Sequence, residues 1–393
     1  MATPSSDYLT QIDNLLASSR QSWLFGAGIS IGANIPLMEA LTSRVFSVLA
    51  GKPAEALLSA IKEGLPPESH IEHVLSQIGD YAAIAERSRR EVTIGKTPFS
   101  LTDLNLHHDA ILSVIAEAIR WGYSPAIEET ETCPAKAEVI GSYKQPLVDA
   151  TDHINYIRSI LGKSQAGLSD RRHPVKFFTT NYDTLLEDAL ALEGCTYWDG
   201  FSGGALAFRS YRYGDPEPTE PVRAHVIKLH GSIDWYLSSD DRVWRVRDGD
   251  LYPPRTGRVL IYPQSTKYLA TQRDPFSAQF DLFRRAMALR GENILAICGY
   301  SFGDEHINQE IELAMGNPDN KTTILAFAPE FGCVPTKWRT SAWKERLYVI
   351  AESGLYVGDE GPFHEPGAGK KHDWWTFAGI TKILNNGAEA CVC

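Results

Sequence analysis

The chain has 393 residues, 43% of them hydrophobic and 22% charged, which is the composition of an ordinary globular protein with one large domain or two smaller ones. A formal net charge of −11 argues against direct binding to the phosphate backbone of nucleic acids. No apolar stretch reaches the roughly 18–20 residues of a membrane span, and the polar N-terminus lacks the pattern of a signal peptide.

The first 161 residues are predicted to be mostly helical, because apolar residues recur there at helical spacing. We find no convincing strand between Pro67 and Ile160, and the acidic stretch 124–143 is predicted to be a surface loop. The predicted elements are a strand Ser22 to Phe25 and helices Asp7 to Ser18, Leu37 to Leu49, Ala54 to Ile61, Ser69 to Ser88, Thr102 to Trp121 and Leu147 to Leu161.

The remainder of the chain alternates apolar, strand-like runs with helical patterns, and has hairpin and loop composition at 196–221 and 235–254. The predicted strands are Val175 to Thr179, His225 to Leu229, Arg258 to Tyr262, Asn293 to Cys298, Thr322 to Phe327 and, as the last of the chain, Leu347 to Ile350. The predicted helices are Asp183 to Leu192, Pro275 to Arg290, Glu305 to Met315 and Trp374 to Leu384.

Alternating strands and helices predict an α/β fold, a doubly wound, Rossmann-like parallel sheet with helices on both faces. We expect residues 1–66 and 162–393 to form the nucleotide-binding domain. Residues 67–161 would be a helical insertion that caps the site. The six cysteines are scattered without a disulfide framework, which favours a reducing cytoplasm.

Four short segments each follow a predicted buried strand. The carboxyl ends of parallel strands share one edge of a sheet, and α/β proteins bind nucleotides there. We therefore expect the four segments to form one site. They are Gly26-Ala27-Gly28-Ile29-Ser30, Thr180-Asn181-Tyr182-Asp183, Leu229-His230-Gly231-Ser232 and Gly299-Tyr300-Ser301-Phe302-Gly303-Asp304.

The first segment has the composition of a phosphate-binding turn, because glycine lets backbone N–H groups approach a phosphate closely. We take Gly26, Ala27, Gly28 and Ser30 as its ligand-binding residues, although a plain strand-to-helix turn would have the same pattern. In the fourth segment, Gly299 and Ser301 are candidates to contact the same ligand.

Asn181 and His230 are the candidate catalytic residues. An amide can orient water or a hydroxyl group through its paired donor and acceptor, and imidazole, with an unperturbed pKa of about 6.5, suits proton transfer near neutrality. Asp183 is a candidate ligand-binding residue, or it caps the next helix. The other histidines lack partners at metal-ligand spacing, so we assign no metal.

The order of the four segments resembles the sirtuin-like family of NAD-consuming domains. The resemblance lies in Gly-Ala-Gly-x-Ser, in Thr-Thr-Asn-Tyr-Asp beside the sirtuin Thr-Gln-Asn-Ile-Asp, in His-Gly, and in Gly-Tyr-Ser-Phe-x-Asp-x-x-Ile-Asn. It implies NAD as the substrate, Asn181 and His230 as catalytic residues, and Gly26, Ala27, Gly28, Ser30, Asp183, Gly299 and Ser301 as NAD-binding residues.

The departures from this family point to water as the acceptor. Protein-deacylating sirtuins carry a four-cysteine zinc module after His-Gly, but no cysteine occurs here between Cys195 and Cys298, so we expect no zinc. The resemblance then implies an NAD glycohydrolase. The alternatives are a protein deacylase or ADP-ribosyltransferase and a non-catalytic nucleotide-binding module.

The resemblance also extends to bacterial anti-phage effectors that deplete NAD. A chain of this length without an evident sensor domain is similar to the partner of a HerA-type ATPase. We therefore expect a cytoplasmic homo-oligomer that is controlled by a protein partner, without direct binding to membranes or nucleic acids.

Overall fold

The computed structural model describes residues 4–128, 134–162, 173–218, 221–238, 242–247, 255–260, 274–289 and 291–392. The helices are α1 Pro4–Leu16, α2 Met38–Leu49, α3 Ala54–Gly64, α4 Ile71–Ser88, α5 Leu101–Trp121, α6 Thr151–Leu161, α7 Leu185–Leu192, α8 Phe276–Met287, α9 Glu305–Met315, α10 Thr336–Arg339 and α11 Phe377–Asn386. Among the described helices, none combines the length and apolar character that crossing a membrane requires.

The strands follow the same chain order. They are β1 Gln21–Phe25, β2 Val92–Ile94, β3 Thr97–Phe99, β4 Tyr123–Ser124, β5 Val139–Ile140, β6 Val175–Thr179, β7 Tyr197–Trp198, β8 Phe201–Gly203, β9 Leu206–Arg209, β10 Ala224–Lys228, β11 Gly231–Ser238, β12 Val243–Val246, β13 Arg255–Leu260, β14 Gly291–Cys298, β15 Asn320–Phe327, β16 Leu347–Ala351, β17 Gly354–Val357 and β18 Glu360–Phe363.

The main sheet has nine strands among the described residues, in the order β18-β17-β16-β15-β14-β1-β6-β10-β7. All neighbours from β16 to β7 are parallel, and β17 and β18 extend the β16 edge antiparallel. The chain builds outward from β1 through β6 and β10, then returns to the other side of β1 with β14. This reversal is the topological switch point at which α/β sheets bind ligands.

Side chains from one strand go alternately to two cores, which explains the helices on both faces. Trp23 and Phe25 of β1 and Phe177 of β6 belong to a core with α1, α6, α7 and α11. Leu24 and Phe178 belong to the opposite core, with α8, α9 and α10. Strands that are buried on both faces are mostly apolar, and the two cores confirm the predicted doubly wound sheet.

A third core joins α2, α3, α4 and α5 into a helical layer. This layer also takes in Tyr182 of the second segment and Ile233 of β11, while α6 packs with the sheet. The Tyr182 hydroxyl donates a hydrogen bond of 3.1 Å to Glu72 of α4. The helical layer is therefore attached to the second segment directly. The division of the chain at residues 67 and 161 stays a prediction.

Two predictions about strands are wrong. The stretch 67–160 contains the antiparallel pairs β2–β3 and β4–β5, and β16 is followed by β17 and β18. These strands have two to four residues each, too few to show a periodic pattern. The turn glycine Gly95, with φ of +61°, was the available signal for the β2–β3 hairpin.

The other predicted elements are present with small shifts of their ends. The strand Val175 to Thr179 and the helix Glu305 to Met315 have the predicted bounds. The predicted hairpin after Trp235 is formed by β11 and β12, part of a second sheet of order β13-β11-β12-β9-β8. The end of the predicted hairpin region, residues 248–254, and the end of the predicted strand Arg258 to Tyr262, residues 261–262, lie outside the described residues.

Candidate functional site

The structure brings all four predicted segments to one edge of the main sheet. Phe25 pairs with both Thr179 and Cys298, and Thr179 pairs with Lys228, so the strands β14, β1, β6 and β10 end side by side. Asn181 and His230 each lie two residues beyond the paired residues Thr179 and Lys228. Parallel strands with this register carry the two side chains to the same edge, as the sequence predicts.

The first and fourth segments touch through their backbones. The N–H of Gly26 donates to the Cys298 carbonyl (3.1 Å), and the N–H of Gly28 donates to the Gly299 carbonyl (2.9 Å). A Cβ at Gly26 would lie 2.5 Å from the Gly299 oxygen, and a Cβ at Gly28 would lie 2.6 Å from the Gly299 Cα. This close approach alone requires glycine at positions 26 and 28, and both N–H groups are already engaged.

Ser30 connects the first segment to the second. Its hydroxyl donates to Asp183 Oδ2 at 2.8 Å, and its oxygen accepts from Asn181 Nδ2 at 3.1 Å. All three residues are buried. An ionised carboxylate can only accept, so Ser30 must donate to Asp183 and accept from the amide nitrogen. This arrangement fixes the orientation of the Asn181 amide.

The Asn181 amide oxygen is the unsatisfied atom of this network. Asn181 Oδ1 is buried and has no hydrogen-bond partner among the residues that the structure describes. A buried acceptor without a donor destabilises the folded state by about 1–3 kcal/mol. A ligand or water molecule that donates a hydrogen bond to this atom would remove that penalty. The atom can accept a hydrogen bond from a water molecule or a sugar hydroxyl.

Asp183 also forms a local turn just before the next helix. Its Oδ1 accepts from the N–H of Leu185, the first residue of α7, at 3.0 Å. The N-cap position of α7 is Thr184, whose side chain makes no capping bond, so Asp183 is not the cap considered from the sequence. The helix predicted to start at Asp183 starts at Leu185.

A buried ion pair that sequence reasoning missed lies behind the second segment. Lys228 of β10 donates to the Asp183 carbonyl, and its Nζ lies 3.5 Å from Glu187 Oε1 of α7. Burial raises the pKa of the Glu187 carboxyl to about 7, and the positive charges of Lys228 and Arg247 act against this shift. The charged Lys228 in the apolar run His-Val-Ile-Lys-Leu was the available signal.

His230 lies against a second histidine, His306, to which the sequence pattern assigns no role. Its Nε2 is 3.4 Å from His306 Nε2, with ring centroids 5.4 Å apart and planes at 23°. Phe280 of α8 packs on the ring of His306, with the two ring centroids 5.3 Å apart. Ligand atoms of His230, His306 and Asp304 all lie within 4.8 Å of one another. The available signal for His306 was its position two residues after the fourth segment, within the pattern Gly-Tyr-Ser-Phe-x-Asp-x-x-Ile-Asn.

The fourth segment is held by one of its own side chains, that of Tyr300, and by Asn308 of α9. Asn308 Nδ2 donates to the carbonyl of Phe302 (2.7 Å), whose φ of +58° is rare for a residue other than glycine. The Tyr300 hydroxyl donates to the Asp304 carbonyl at 3.1 Å. Ser301 is exposed, and its Oγ accepts from the Gly303 N–H at 3.3 Å. The loop thus presents Ser301 to solvent at the site edge.

An aromatic hairpin stands where cysteines would follow His-Gly in a zinc module. Trp235 of β11 is buried and packs on Phe201 at a centroid distance of 5.0 Å. Arg245 of β12 pairs with the buried Asp199. The hairpin is therefore stabilised by aromatic and ionic contacts.

A separate cavity of about 270 Å³ lies between α8 and α9 at the opposite edge of the sheet. Arg284, Glu310 and Asn320 are among its lining residues. Asn320 is the first residue of β15, so this cavity is remote from the four strand ends. It is not part of the candidate site.

Comparison with known proteins supports the resemblance over part of the chain. Residues 175–349 match the family model of the SIR2-like domain. The match covers less than half of the chain and includes the second, third and fourth segments. The chain therefore carries a SIR2-like stretch on the described α/β fold.

Solved structures give a weaker likeness. A complex of mutant Sir2 homologues with 2′-O-acetyl ADP ribose is 12% identical, with 82% of this chain and 84% of that chain covered, at a TM-score of 0.31. This score is too low to establish a shared fold. The α/β fold of this chain is assigned from its own strand order. No curated protein matches the chain.

Proposed function

We propose that this chain is an NAD glycohydrolase, which converts NAD and water to ADP-ribose and nicotinamide. The observation that carries the proposal is the buried Asn181 Oδ1, which has no donor among the described residues and is held in place through Ser30 and Asp183. Such an acceptor can orient the attacking water or a ribose hydroxyl, which a hydrolase requires.

The proposed reaction breaks the bond between the nicotinamide nitrogen and the ribose anomeric carbon. The electron pair leaves with nicotinamide, which is already cationic in NAD and becomes neutral. Positive charge builds on the ribose, and the oxygen of water bonds to the anomeric carbon. Asn181 accepts a hydrogen bond from the water or a ribose hydroxyl, and His230 accepts the proton.

The remaining predicted residues would hold NAD. Ala27, Ser30 and Ser301 would contact the ADP-ribose part, with Asp183 near the nicotinamide amide. The N–H groups of Gly26 and Gly28 are engaged with the fourth segment. These two residues and Gly299 would therefore contribute the shape of the phosphate turn, and other N–H groups would donate to the ligand.

We further propose that the activity serves anti-phage defence by depleting NAD in the cytoplasm. Control would come from homo-oligomer formation and a HerA-type ATPase partner. The helical layer is attached to the second segment through Tyr182 and Glu72, so a movement of this layer on assembly would reach the site. This contact supports the proposal that the layer acts as a cap controlled by assembly. A cap of this kind completes other active sites on closure.

The test is incubation of the tag-free chain with NAD, alone and with a candidate HerA-type ATPase, followed by chromatography of the products. We expect equimolar ADP-ribose and nicotinamide, and at least about 100-fold slower formation of both with Asn181→Ala. Transfer of ADP-ribose to protein, or product formation only with an acyl-lysine peptide, would contradict hydrolysis in favour of a transferase or deacylase. Binding of NAD without turnover under every condition would favour a non-catalytic module.

A further inference from the structure

We infer that His230, His306 and Asp304 form a binding site for a divalent transition-metal ion of the zinc type. The side chains come from two different elements. His230 follows β10, while Asp304 and His306 lie at the start of α9. Their ligand atoms all lie within 4.8 Å of one another. The sequence favours no zinc because it lacks a cysteine module, and His230 becomes a neighbour of Asp304 and His306 only in the folded chain.

The spacing of the two imidazoles matches metal coordination. Zinc binds histidine nitrogen at about 2.0–2.1 Å, and the edge of a tetrahedron is about 1.63 times the bond length, so two ligand nitrogens lie about 3.3–3.4 Å apart. His230 Nε2 and His306 Nε2 are 3.4 Å apart. The separation of the two nitrogens therefore fits their coordination of one ion.

The surroundings restrict both rings and supply the third ligand. His230 is buried, and Phe280 packs on the ring of His306. Restriction of ligand side chains before binding lowers the entropy lost when the ion binds. The partly buried Asp304 carboxylate brings the ligand set to two histidines and one carboxylate. Zinc sites with three protein ligands keep a fourth position for water.

The chemical consequence for catalysis rests on the proposed function. A metal ion on His230 Nε2 takes the lone pair of that nitrogen, so the nitrogen cannot accept a proton. Bound zinc would therefore inhibit NAD cleavage, and release of the ion would restore it. The site would make the hydrolase sensitive to the available zinc concentration.

The experiment measures zinc binding without NAD. Tag-free full-length protein is dialysed against a chelator and titrated with zinc chloride by calorimetry, in competition with a chelator of known affinity. We expect one zinc ion per chain, with affinity at least about 100-fold lower in His306→Ala and Asp304→Asn, because loss of even an outer-shell partner costs about 10–100-fold. His173→Ala, which removes an exposed histidine outside the cluster, is the matched control.

Asp304→Asn is included because it removes a ligand with little change to the fold. It retains the size of the side chain and the backbone carbonyl of residue 304 that accepts from Tyr300. Circular dichroism checks the fold of each variant. The visible absorption of bound cobalt(II) should change in both variants and stay unchanged in His173→Ala. Absence of saturable binding, or equal affinity in His306→Ala and wild type, would overturn the inference. These readouts are independent of NAD, so failure of either proposal leaves the other testable.

Discussion

Ser30 and Asp183 lie 153 residues apart in the chain and are joined by a hydrogen bond of 2.8 Å between two buried side chains. This bond connects the segments that follow β1 and β6. It also determines which way the Asn181 amide faces, since the same Ser30 oxygen accepts from Asn181 Nδ2. The orientation of a candidate catalytic group thus depends on a contact between distant parts of the chain.

Asn181→Ala should lower NAD turnover by at least about 100-fold, because the amide that orients water or ribose is lost. Ser30→Ala should also lower turnover, since Asn181 would lose the partner that holds its amide. Release of nicotinamide measures both effects. Asn386→Ala, at the exposed end of α11, is the matched control and should behave as wild type. Near wild-type turnover in folded Asn181→Ala would exclude the assigned function.

His230→Ala should reduce kcat by about 10²–10⁴-fold, which is the usual contribution of a general acid or base. KM for NAD should change much less than kcat if His230 acts mainly in the transition state. Initial rates over a range of NAD concentrations separate the two constants. His173→Ala should leave both unchanged, and an equal loss in this control would point to a general effect of histidine removal.

Gly299→Ala should destabilise the fold by more than Gly194→Ala. Both glycines have left-handed backbone conformations, with φ of +64° and +65°, so both substitutions carry a strain of about 1–3 kcal/mol. At Gly299 the new Cβ would also lie 2.5 Å from the Ile29 nitrogen, whereas at Gly194 no atom of the described residues, apart from its chain neighbours, lies within 4 Å. Overpacking adds about 1–3 kcal/mol.

Urea unfolding of both glycine variants measures this difference. Equal losses of stability would show that the first and fourth segments can move apart without cost. That result would weaken the view that their backbone contact shapes the site.

Glu187→Gln should change how stability depends on pH. Burial raises the pKa of Glu187 from 4.5 to about 7 in the folded chain, so the folded state holds a proton that the unfolded state releases. This contribution to stability is complete below pH 4.5 and is lost as the pH rises through 7. The loss is about 3 kcal/mol, at 1.36 kcal/mol per pKa unit.

Urea unfolding of wild type and Glu187→Gln between pH 4.5 and 8 tests this prediction. The stability of wild type should fall relative to the variant as the pH rises. Glu68→Gln, an exposed substitution, should give a curve parallel to wild type. Parallel curves for Glu187→Gln as well would contradict the raised pKa.

NAD turnover per chain should depend on assembly. We expect it to rise with protein concentration or on addition of a HerA-type ATPase, as the helical layer closes over the site. Light scattering and turnover measured on the same samples test this. Tyr182→Phe removes the hydrogen bond to Glu72 and should weaken the dependence. A monomer with full activity, indifferent to the ATPase, would refute control by assembly.

Sequence alone sufficed for the central parallel strands of the sheet and for the location of the candidate site. Buried parallel strands are apolar runs, so Val175 to Thr179 and its neighbours could be recognised without a structure. The carboxyl ends of such strands meet at one edge, and this places Gly26, Asn181, His230 and Gly299 together. The short strands β2 to β5 and the pair β17–β18 were missed because two to four residues show no period.

Tertiary structure alone decided the contacts between side chains. The pairing of His230 with His306, 76 residues apart, and that of Lys228 with Glu187 depend on how helices α9 and α7 pack beside the strand ends. Local propensity carries no information about partners so distant in the chain. The orientation of Asn181 through Ser30 and the raised pKa of Glu187 follow from burial, which exists only once the sheet and its helices have come together.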